Sequence, residues 1–276
     1  MIGDVPPPAS SPARLWSQLV RADAVTREDA RRLFDLFAGH YEHVDWARFQ
    51  ADLREKDYVI LLRDTRCGRL QGFSTQKVLR FRVGGVPLRA IFSGDTIIDR
   101  PYWGEQELVR GWCRFAGAVR AEAPETRLFW FLISKGYRTY LYLPLFFGRY
   151  FPRHDAATPR FEQQVMDAVA RLRYPRAYRR EAGILEFAER LGNLTAELAA
   201  IPPGRLADPR VQFFLARNPR YREGTELVCL AELTASNMRS IAARGFREGE
   251  RVGSAGGLLS AGPEVTMPAI PSLALR

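Results

Sequence analysis

Lysine is nearly missing from this 276-residue chain: 41 residues are Lys or Arg, and only Lys56, Lys77 and Lys135 are lysines. The formal charge of +10 is therefore carried by arginine. A basic surface favours polyanionic partners such as nucleic acid, a phosphorylated cofactor or an acidic carrier protein. Arginine enrichment spread over a whole chain is discounted here as a binding signal. Cysteine is scarce too. Cys67, Cys113 and Cys229 stand far apart and outside any metal-ligand spacing, so they read as free thiols of a reducing compartment. No apolar run is long enough to span a bilayer. The start of the chain lacks a signal-peptide core, since Val5-Pro6-Pro7-Pro8-Ala9-Ser10-Ser11-Pro12 is a flexible lead-in. A cytoplasmic location is expected. No metal constellation, catalytic triad, phosphate-binding P-loop or internal repeat is visible.

What is present suits one large domain with an insertion, since 46% of the residues are hydrophobic. Residues 1–13 are expected to be disordered, 14–248 to form the domain with a helical insertion at about 156–205, and 249–276 to be a disordered tail. Thr26, with Asp29 three residues on, opens a helix whose apolar face is Leu33, Phe34, Phe37 and Tyr41. A short helix follows through Trp46, Phe49 and Leu53. Three strands come next, over residues 58–62, 70 to about 81, and 87–99, joined by turns at Asp64-Thr65-Arg66-Cys67-Gly68 and Gly84-Gly85. A helix with Leu108, Trp112, Phe115 and Val119 on one face leads to a strand over 127–133, apolar on both faces as a central or parallel strand should be. Another helix starts near Tyr137 and is broken or kinked by Pro144. Residues 161–201 read as helical, including Ile184, Leu185, Phe187, Leu191, Leu194 and Leu198. Residues 211–215 and 227–233 read as a closing hairpin around Asn218-Pro219-Arg220-Tyr221, with a short helix at 237–243.

The most informative stretch is Ala90-Ile91-Phe92-Ser93-Gly94-Asp95-Thr96-Ile97-Ile98-Asp99 and the turn after it, Arg100-Pro101-Tyr102-Trp103-Gly104. A strand feeding a helix N-terminus brings orphan N–H groups and the helix dipole together, which suits an anion. A glycine within a strand suggests a bulge or a close backbone approach, so Gly94 throws emphasis on Asp95.

This order of elements resembles the GNAT acyltransferase superfamily over residues 26–152 and 211–233. The resemblance implies an α+β fold with a mixed, mainly antiparallel central sheet flanked by helices, and a helical insertion before the final hairpin. It also implies transfer of an acyl group from a coenzyme A or acyl-carrier-protein thioester to an amine, with no permanently bound cofactor. The family's Gln/Arg-x-x-Gly-x-Gly/Ala loop is represented here by Arg100-Pro101-Tyr102-Trp103-Gly104-Glu105-Gln106, in which only Gly104 survives. That departure resembles divergent branches that use medium or long acyl chains, among them peptide-acylating maturases and acyl-homoserine lactone synthases. The expected partners are acyl-CoA or an acidic acyl carrier protein and an amine of a small molecule or peptide; nucleic acid is not expected. The alternatives are a lactone-synthase-like enzyme and a non-catalytic binder of peptide or nucleic acid.

The resemblance gives donor contacts to Ile97, Ile98, Trp103, Gly104, Glu105, Gln106, Ser134 and Lys135. Asp95 is the first candidate for the base that deprotonates the amine; the plainer reading is a strand-end aspartate satisfied by amides. Asp99 reads as a turn cap. Tyr137 and Tyr140, with Tyr142 behind them, are candidates for the acid that protonates the departing thiolate, and each could equally be packing. His43 or His40 could face the acceptor, although a histidine complementing a helix C-terminus is the simpler account. His154 beside Asp155 reads as solvated. Ten of the 32 aromatic residues fall between 129 and 151, suiting either an acyl tunnel or an ordinary core. Arg173, Arg176, Arg179 and Arg180 with Tyr174 and Tyr178 could form a docking surface or a solvated helix face.

Overall fold

The computed structural model describes residues 14–188 and 193–254. In chain order they form β1 (Leu15–Arg21), α1 (Arg27–Ala38), β2 (Tyr41–Glu42), α2 (Trp46–Glu55), β3 (Tyr58–Asp64), β4 (Leu70–Val83), β5 (Val86–Ile98), α3 (Glu107–Glu122) and β6 (Leu128–Ser134). There follow α4 (Tyr137–Tyr140), α5 (Tyr142–Phe146), α6 (Arg160–Arg173), β7 (Tyr178–Arg179), β8 (Ile184–Leu185), β9 (Asn193–Leu194), α7 (Ala196–Ala199), α8 (Pro209–Arg217), β10 (Glu226–Glu232) and α9 (Ser240–Ser254). Eight strands make one sheet in the order β1-β3-β4-β5-β6-β10-β8-β7, and β2 pairs with β9 apart from it. Every neighbouring pair in the large sheet is antiparallel except β5–β6. This is the mixed, mainly antiparallel sheet flanked by helices that the order of elements implied.

The alternation of side chains along each strand assigns the cores. On one face, Ile60, Leu62, Ile91, Trp130 and Leu132 pack with α3, α9, α4 and α8. The other face carries two separate cores. Val59, Leu61, Phe73 and Ile97 meet α1 and α2, while Phe92, Phe129, Phe131 and Val228 meet α6. The candidate site lies where these two meet the parting strands. Arg89 fixes α3 across the back of the sheet. Its buried guanidinium donates to the carbonyls of Val119 (2.8 Å), Arg120 (3.3 Å) and Ala123 (3.0 Å), which the helix itself leaves unpaired.

The local signals mostly behave as the sequence suggests. Thr26 accepts from the amide of Asp29 at 3.1 Å, but the Asp29 carboxylate turns to Arg63 (2.8 Å) instead of closing a reciprocal box. Gly84 and Gly85 both take positive φ, 57° and 82°, as a two-residue hairpin turn between paired Val83 and Val86 requires. The helix after β6 breaks at Leu141, three residues before Pro144, because a proline ring collides with the carbonyl four residues back, here that of Tyr140.

Several expectations are corrected. β1 was not anticipated; it is an edge strand with only Leu15 fully buried, so its alternation is faint. Residues 211–215 are helical within α8, where Asp208 caps the amide of Arg210 (2.9 Å), Pro209 takes the first turn, and Val211 and Phe214, three apart, are buried. The closing hairpin is thus absent, and β10 lies between β6 and β8. Ile184 and Leu185 form β8 against β7 and are not helical, and Phe187 lies beyond them in irregular backbone; Leu191 lies outside the described residues. The helix expected at 237–243 runs to Ser254, so 249–254 are ordered; the rest of the supposed tail and residues 1–13 lie outside the described residues.

The start of the expected tail is part of a helix interface. Gly245, Gly249 and Gly253 recur every fourth residue on α9, and together with Gly117 they let α9 lie beside α3 at backbone distance. A Cβ at Gly249 would stand 1.9 Å from the Arg114 carbonyl oxygen, and one at Gly117 would stand 2.0 Å from that of Phe246. Gly249→Ala should therefore destabilise the fold by about 2–3 kcal/mol, read as a lowered urea midpoint with an unchanged slope. A loss under a few tenths of a kcal/mol would mean that the two helices are not in contact.

Candidate active site

β5 and β6 pair for only four residues each. Arg89 lies opposite Leu128, Ala90 opposite Phe129, Ile91 opposite Trp130, and Phe92 opposite Phe131, after which the two strands separate. β5 continues to Ile98 along β4, and β6 continues to Ser134 along β10, so each keeps its outer partner. The backbone along the inner edges of residues 93–98 and 132–134 loses its ladder. Such groups need a partner, and an extended ligand with amides of its own can supply one.

A bulge marks the point of separation. On β4, Ser74 faces Thr96 and Gln76 faces Ser93, so Thr75 alone stands opposite both Gly94 and Asp95. Gly94 is required there. A Cβ would fall 2.6 Å from Thr75 Oγ1 and 2.8 Å from Lys56 Cε. Behind the bulge lies a buried polar network. Trp130 Nε1 donates to Ser93 Oγ (3.0 Å), and Trp112 Nε1 is shared between Ser93 Oγ (3.1 Å) and Gln76 Oε1 (3.2 Å). Ser93 donates to Gln76 (2.8 Å), Gln76 to Ser74 (2.7 Å), and Ser74 meets Thr96 (2.7 Å). The Gln76, Ser93 and indole groups are satisfied within the protein, so this closed end is rigid packing.

In front of the bulge stand charges from four directions. Lys56, at the end of α2, is buried and pairs with Asp52, whose backbone carbonyl it also reaches at 3.2 Å. Lys135, just past β6, lies 3.4 Å from Glu226 at the start of β10 and over the ring of Tyr41, 5.4 Å from its centroid. Arg173, at the end of α6, covers the ring of Phe92 at 5.5 Å and pairs with Glu55 at 3.3 Å. Asp95 differs from all of these: among the described residues it makes no hydrogen bond or ion pair. Burial, then the Asp52 carboxylate, push its carboxyl up to about 7; Lys56 and Lys135 hold it down in part, and Glu226 adds to the rise. The phenols of Tyr41 and Tyr174 are pushed upward as well, chiefly by burial.

The remaining candidates sort by position. Tyr140 is fully buried among Tyr150, Phe213 and Phe214, and its hydroxyl donates to the Pro152 carbonyl (3.0 Å), so it is a core residue and not a free acid. Tyr137 opens α4 right after the β6 wall, its hydroxyl accepting from Arg138 Nε at 3.2 Å. Tyr142 is exposed and stacks on Phe146. His43 is exposed, with positive φ (57°), in the link between β2 and α2. His40 Nδ1 lies 2.8 Å from the Leu36 carbonyl, an atom that only accepts, so this ring caps α1. Asp99 caps the following turn through the Arg100 amide (2.9 Å). Asp155 is held by Arg153, with His154 at 3.9 Å.

Among the donor positions, Ile97 is buried in the α1–α2 core, and Ile98 packs on the opposite face. Trp103 is exposed, with its Nε1 donating to the Ile98 carbonyl (2.8 Å), and Gly104 takes φ +94°. Gln106 sits at the N-cap of α3 without a side-chain cap. Glu105 lies 4.0 Å from Arg14. Ser134 is buried and donates to the Gly136 carbonyl (2.9 Å). What sequence reasoning missed is Asp52 and Lys56; the signal was their spacing of four at the end of a helix, in a chain with three lysines. No group of three or more metal-ligating side chains is assembled among the described residues, and none of their helices is long and apolar enough to cross a membrane.

The chain matches no protein-family model and no curated protein. Solved structures similar to parts of it include a protein of Enterococcus faecalis described as a probable N-acyltransferase, 14% identical over 49% of this chain and 33% of that one, with a TM-score of 0.37. A GNAT family N-acetyltransferase (YhbS) of Escherichia coli in complex with CoA is 17% identical over 46% of this chain and 66% of that one, at 0.33. An aminoglycoside acetyltransferase from an uncultured soil metagenomic sample, in complex with sisomicin, is 15% identical over 64% of this chain and 97% of that one, at 0.32. The chain thus spans a third of the first of these proteins and about two thirds of the second.

A carboxyl raised in the folded state binds more protons there than in the unfolded chain, whose aspartates titrate near 4. Stability contributed at Asp95 is thus complete below about pH 4 and falls as pH rises towards about 7. Asp95→Asn should be about 1–2 kcal/mol more stable than the native chain at about pH 8 and equal to it at about pH 4, measured by denaturant unfolding. Equal stability at both values would mean that Asp95 is solvated.

Proposed function

We propose that the chain is an N-acyltransferase. A thioester donor lies between the separated ends of β5 and β6, and an amine attacks its carbonyl from the side of Asp95. A C–N bond forms and the C–S bond breaks; the proton lost by the amine goes to Asp95, directly or through one water, and the thiolate leaves with a proton from an acid. The observation that carries this reading is the separation of β5 from β6 beside an unpartnered carboxylate. An aspartate held near 7 is a far better base than one near 4, and above about pH 7 it is mostly ionised and able to accept the proton. Tyr137, next to the β6 wall, is the tyrosine assigned as acid, because the hydroxyl of Tyr140 is occupied. Direct attack is favoured over an acyl-cysteine, since burial pushes the Cys113 thiol up to about 12 and Cys229 is buried in the sheet.

The finer form of the expectation, a medium or long acyl chain from an acyl carrier protein, is not carried forward. The aromatics that suggested a tunnel are divided between cores, Trp130, Tyr140 and Phe147 on one face and Phe129, Phe131 and Phe151 on the other. Arg173, Arg179 and Arg180 pair with Glu55, Glu186 and Asp167 and so offer a reduced charge to an acidic carrier. The donor proposed is a short-chain acyl-CoA.

Native mass spectrometry with acetyl-, octanoyl- and palmitoyl-CoA, followed by kinetics with an amine panel, tests this. Acetyl-CoA should be retained and palmitoyl-CoA not. Asp95→Asn should lower turnover about 10²–10⁴-fold with donor affinity nearly unchanged, and native kcat/KM should climb with pH and level off above about 7. No thioester bound at any length would overturn the proposal; equal losses of turnover and donor affinity would make Asp95 structural.

A further inference from the structure

The mechanism above uses Asp95 but leaves unexplained the buried lysine beside it. Lys56 caps α2, a place where lysines ordinarily extend into water, yet its side chain is 1% exposed while that of its partner Asp52 is 44% exposed. Its aliphatic end rests on Gly94, with Cε 2.8 Å and Nζ 3.6 Å from where a Cβ would stand. Burying an ammonium is unfavourable unless it is paired. A methionine or leucine would fill the same space without that penalty, so packing alone does not account for a lysine here.

We propose that the Asp52–Lys56 pair at the end of α2 is a positioning element that adjusts the charge state which burial gives Asp95, the two residues acting on it in opposite directions. The inference rests on Asp95 as the base. One ammonium, fixed by a neighbour four residues back, is pressed against the residue preceding Asp95 in the bulge. The other charged and titratable groups around Asp95 are Tyr41 from β2, Lys135 after β6, Glu226 on β10, Arg173 at the end of α6 with its partner Glu55, and Tyr174 after it. Lys135 and Glu226, 3.4 Å apart, are a second pair of opposed charges, standing behind Asp52 and Lys56 in their effect on Asp95. Asp52 is the strongest neighbouring charge raising the Asp95 carboxyl and Lys56 the strongest lowering it. Removing either one leaves the other unbalanced. Asp52, half in water, also gives the buried ammonium a contact with solvent.

The test follows the carboxyl signal of Asp95 by carbon NMR in aspartate-labelled protein, assigned by its loss in Asp95→Asn. In the native chain it should titrate near 7. Lys56→Met should raise the midpoint by about one pH unit or more, and Asp52→Asn should lower it by about the same amount. The rising limb of kcat/KM should move with it in each variant. A structural role for the pair would slow both variants and leave the midpoint in place, which overturns the inference. So does movement of both midpoints in the same direction. Should Lys56→Met fail to fold, Asp52→Asn, altered on its half-exposed side, decides alone by the sign of its shift. Opposite shifts in a chain that transfers no acyl group would uphold the pair and sink the acyltransferase reading; activity without shifts would do the reverse.

Discussion

The architecture depends on two neighbouring strands being made to part. β5 and β6 begin as an ordinary parallel pair and lose contact after Phe92 and Phe131, although both continue. Strands do not abandon a ladder without cause, because each orphaned backbone group goes unsatisfied. Three devices impose the separation here. The bulge at Gly94 and Asp95 turns β5 away while its pairing with β4 resumes on either side. Arg89 ties the other end of β5 to the last carbonyls of α3, so the strand has to bend within itself. Behind the bulge, Trp112 and Trp130, with ring centroids 4.7 Å apart, share Ser93 as hydrogen-bond acceptor and fill the apex of the wedge. Gly94 is the residue on which these devices converge, since any side chain there would strike Thr75 and Lys56.

The electrostatics of the wedge follow from that shape. A bulge directed at the line between two hydrophobic cores places Asp95 where few waters reach, and desolvation becomes the largest influence on it. The cations nearby arrive with partners, Lys56 with Asp52, Lys135 with Glu226, and Arg173 with Glu55. Among the described residues the Asp95 carboxylate has no such partner. A folded protein gains nothing in stability from that arrangement, which is why an unpartnered half-buried carboxylate points to chemistry more strongly than any ion pair around it.

Much of this was legible in the sequence, in places where one signal dominated. Apolar residues on both faces of 127–133 pointed to a central or parallel strand, found one residue on as β6, and Gly94 inside a strand pattern suggested its bulge. Where two signals compete, the sequence misleads. Val211-Gln212-Phe213-Phe214-Leu215 suits a strand by composition, but Asp208 and Pro209 ahead of it start a helix, and position three residues apart then decides which side chains are buried. Gly245, Gly249 and Gly253 are helix-weakening in isolation; their purpose appears only against α3, a partner more than a hundred residues away. Among the tyrosines no local pattern separates Tyr137 from Tyr140, because the distinction lies in the Pro152 carbonyl that Tyr140 meets after the chain has turned back.

The unanticipated strand β1 also bears on the acids at the start of α3. Glu105 and Glu107 flank the start of α3, where a phosphorylated donor would meet the helix N-terminus, and carboxylates there would repel it. In the fold both point elsewhere. Glu107 accepts from the Ser17 amide (3.2 Å) and hydroxyl (2.6 Å) on β1 and from Arg114 (3.0 Å). Glu105 leans towards Arg14, which precedes β1 and also donates to the Pro101 carbonyl (3.0 Å). Glu107 is thus paired by Arg114 of α3 itself and held by Ser17 of β1, Glu105 lies near Arg14 just ahead of the strand, and Gln106 between them leaves the helix without a side-chain cap. An edge strand whose own burial is slight is held in place by these same contacts, with Gly111 giving Ser17 the room to approach. The loop that departs most from the GNAT pattern and the strand hardest to see in the sequence therefore hold each other: Glu107 bonds Ser17 of β1, and Glu105 lies near Arg14 just ahead of it.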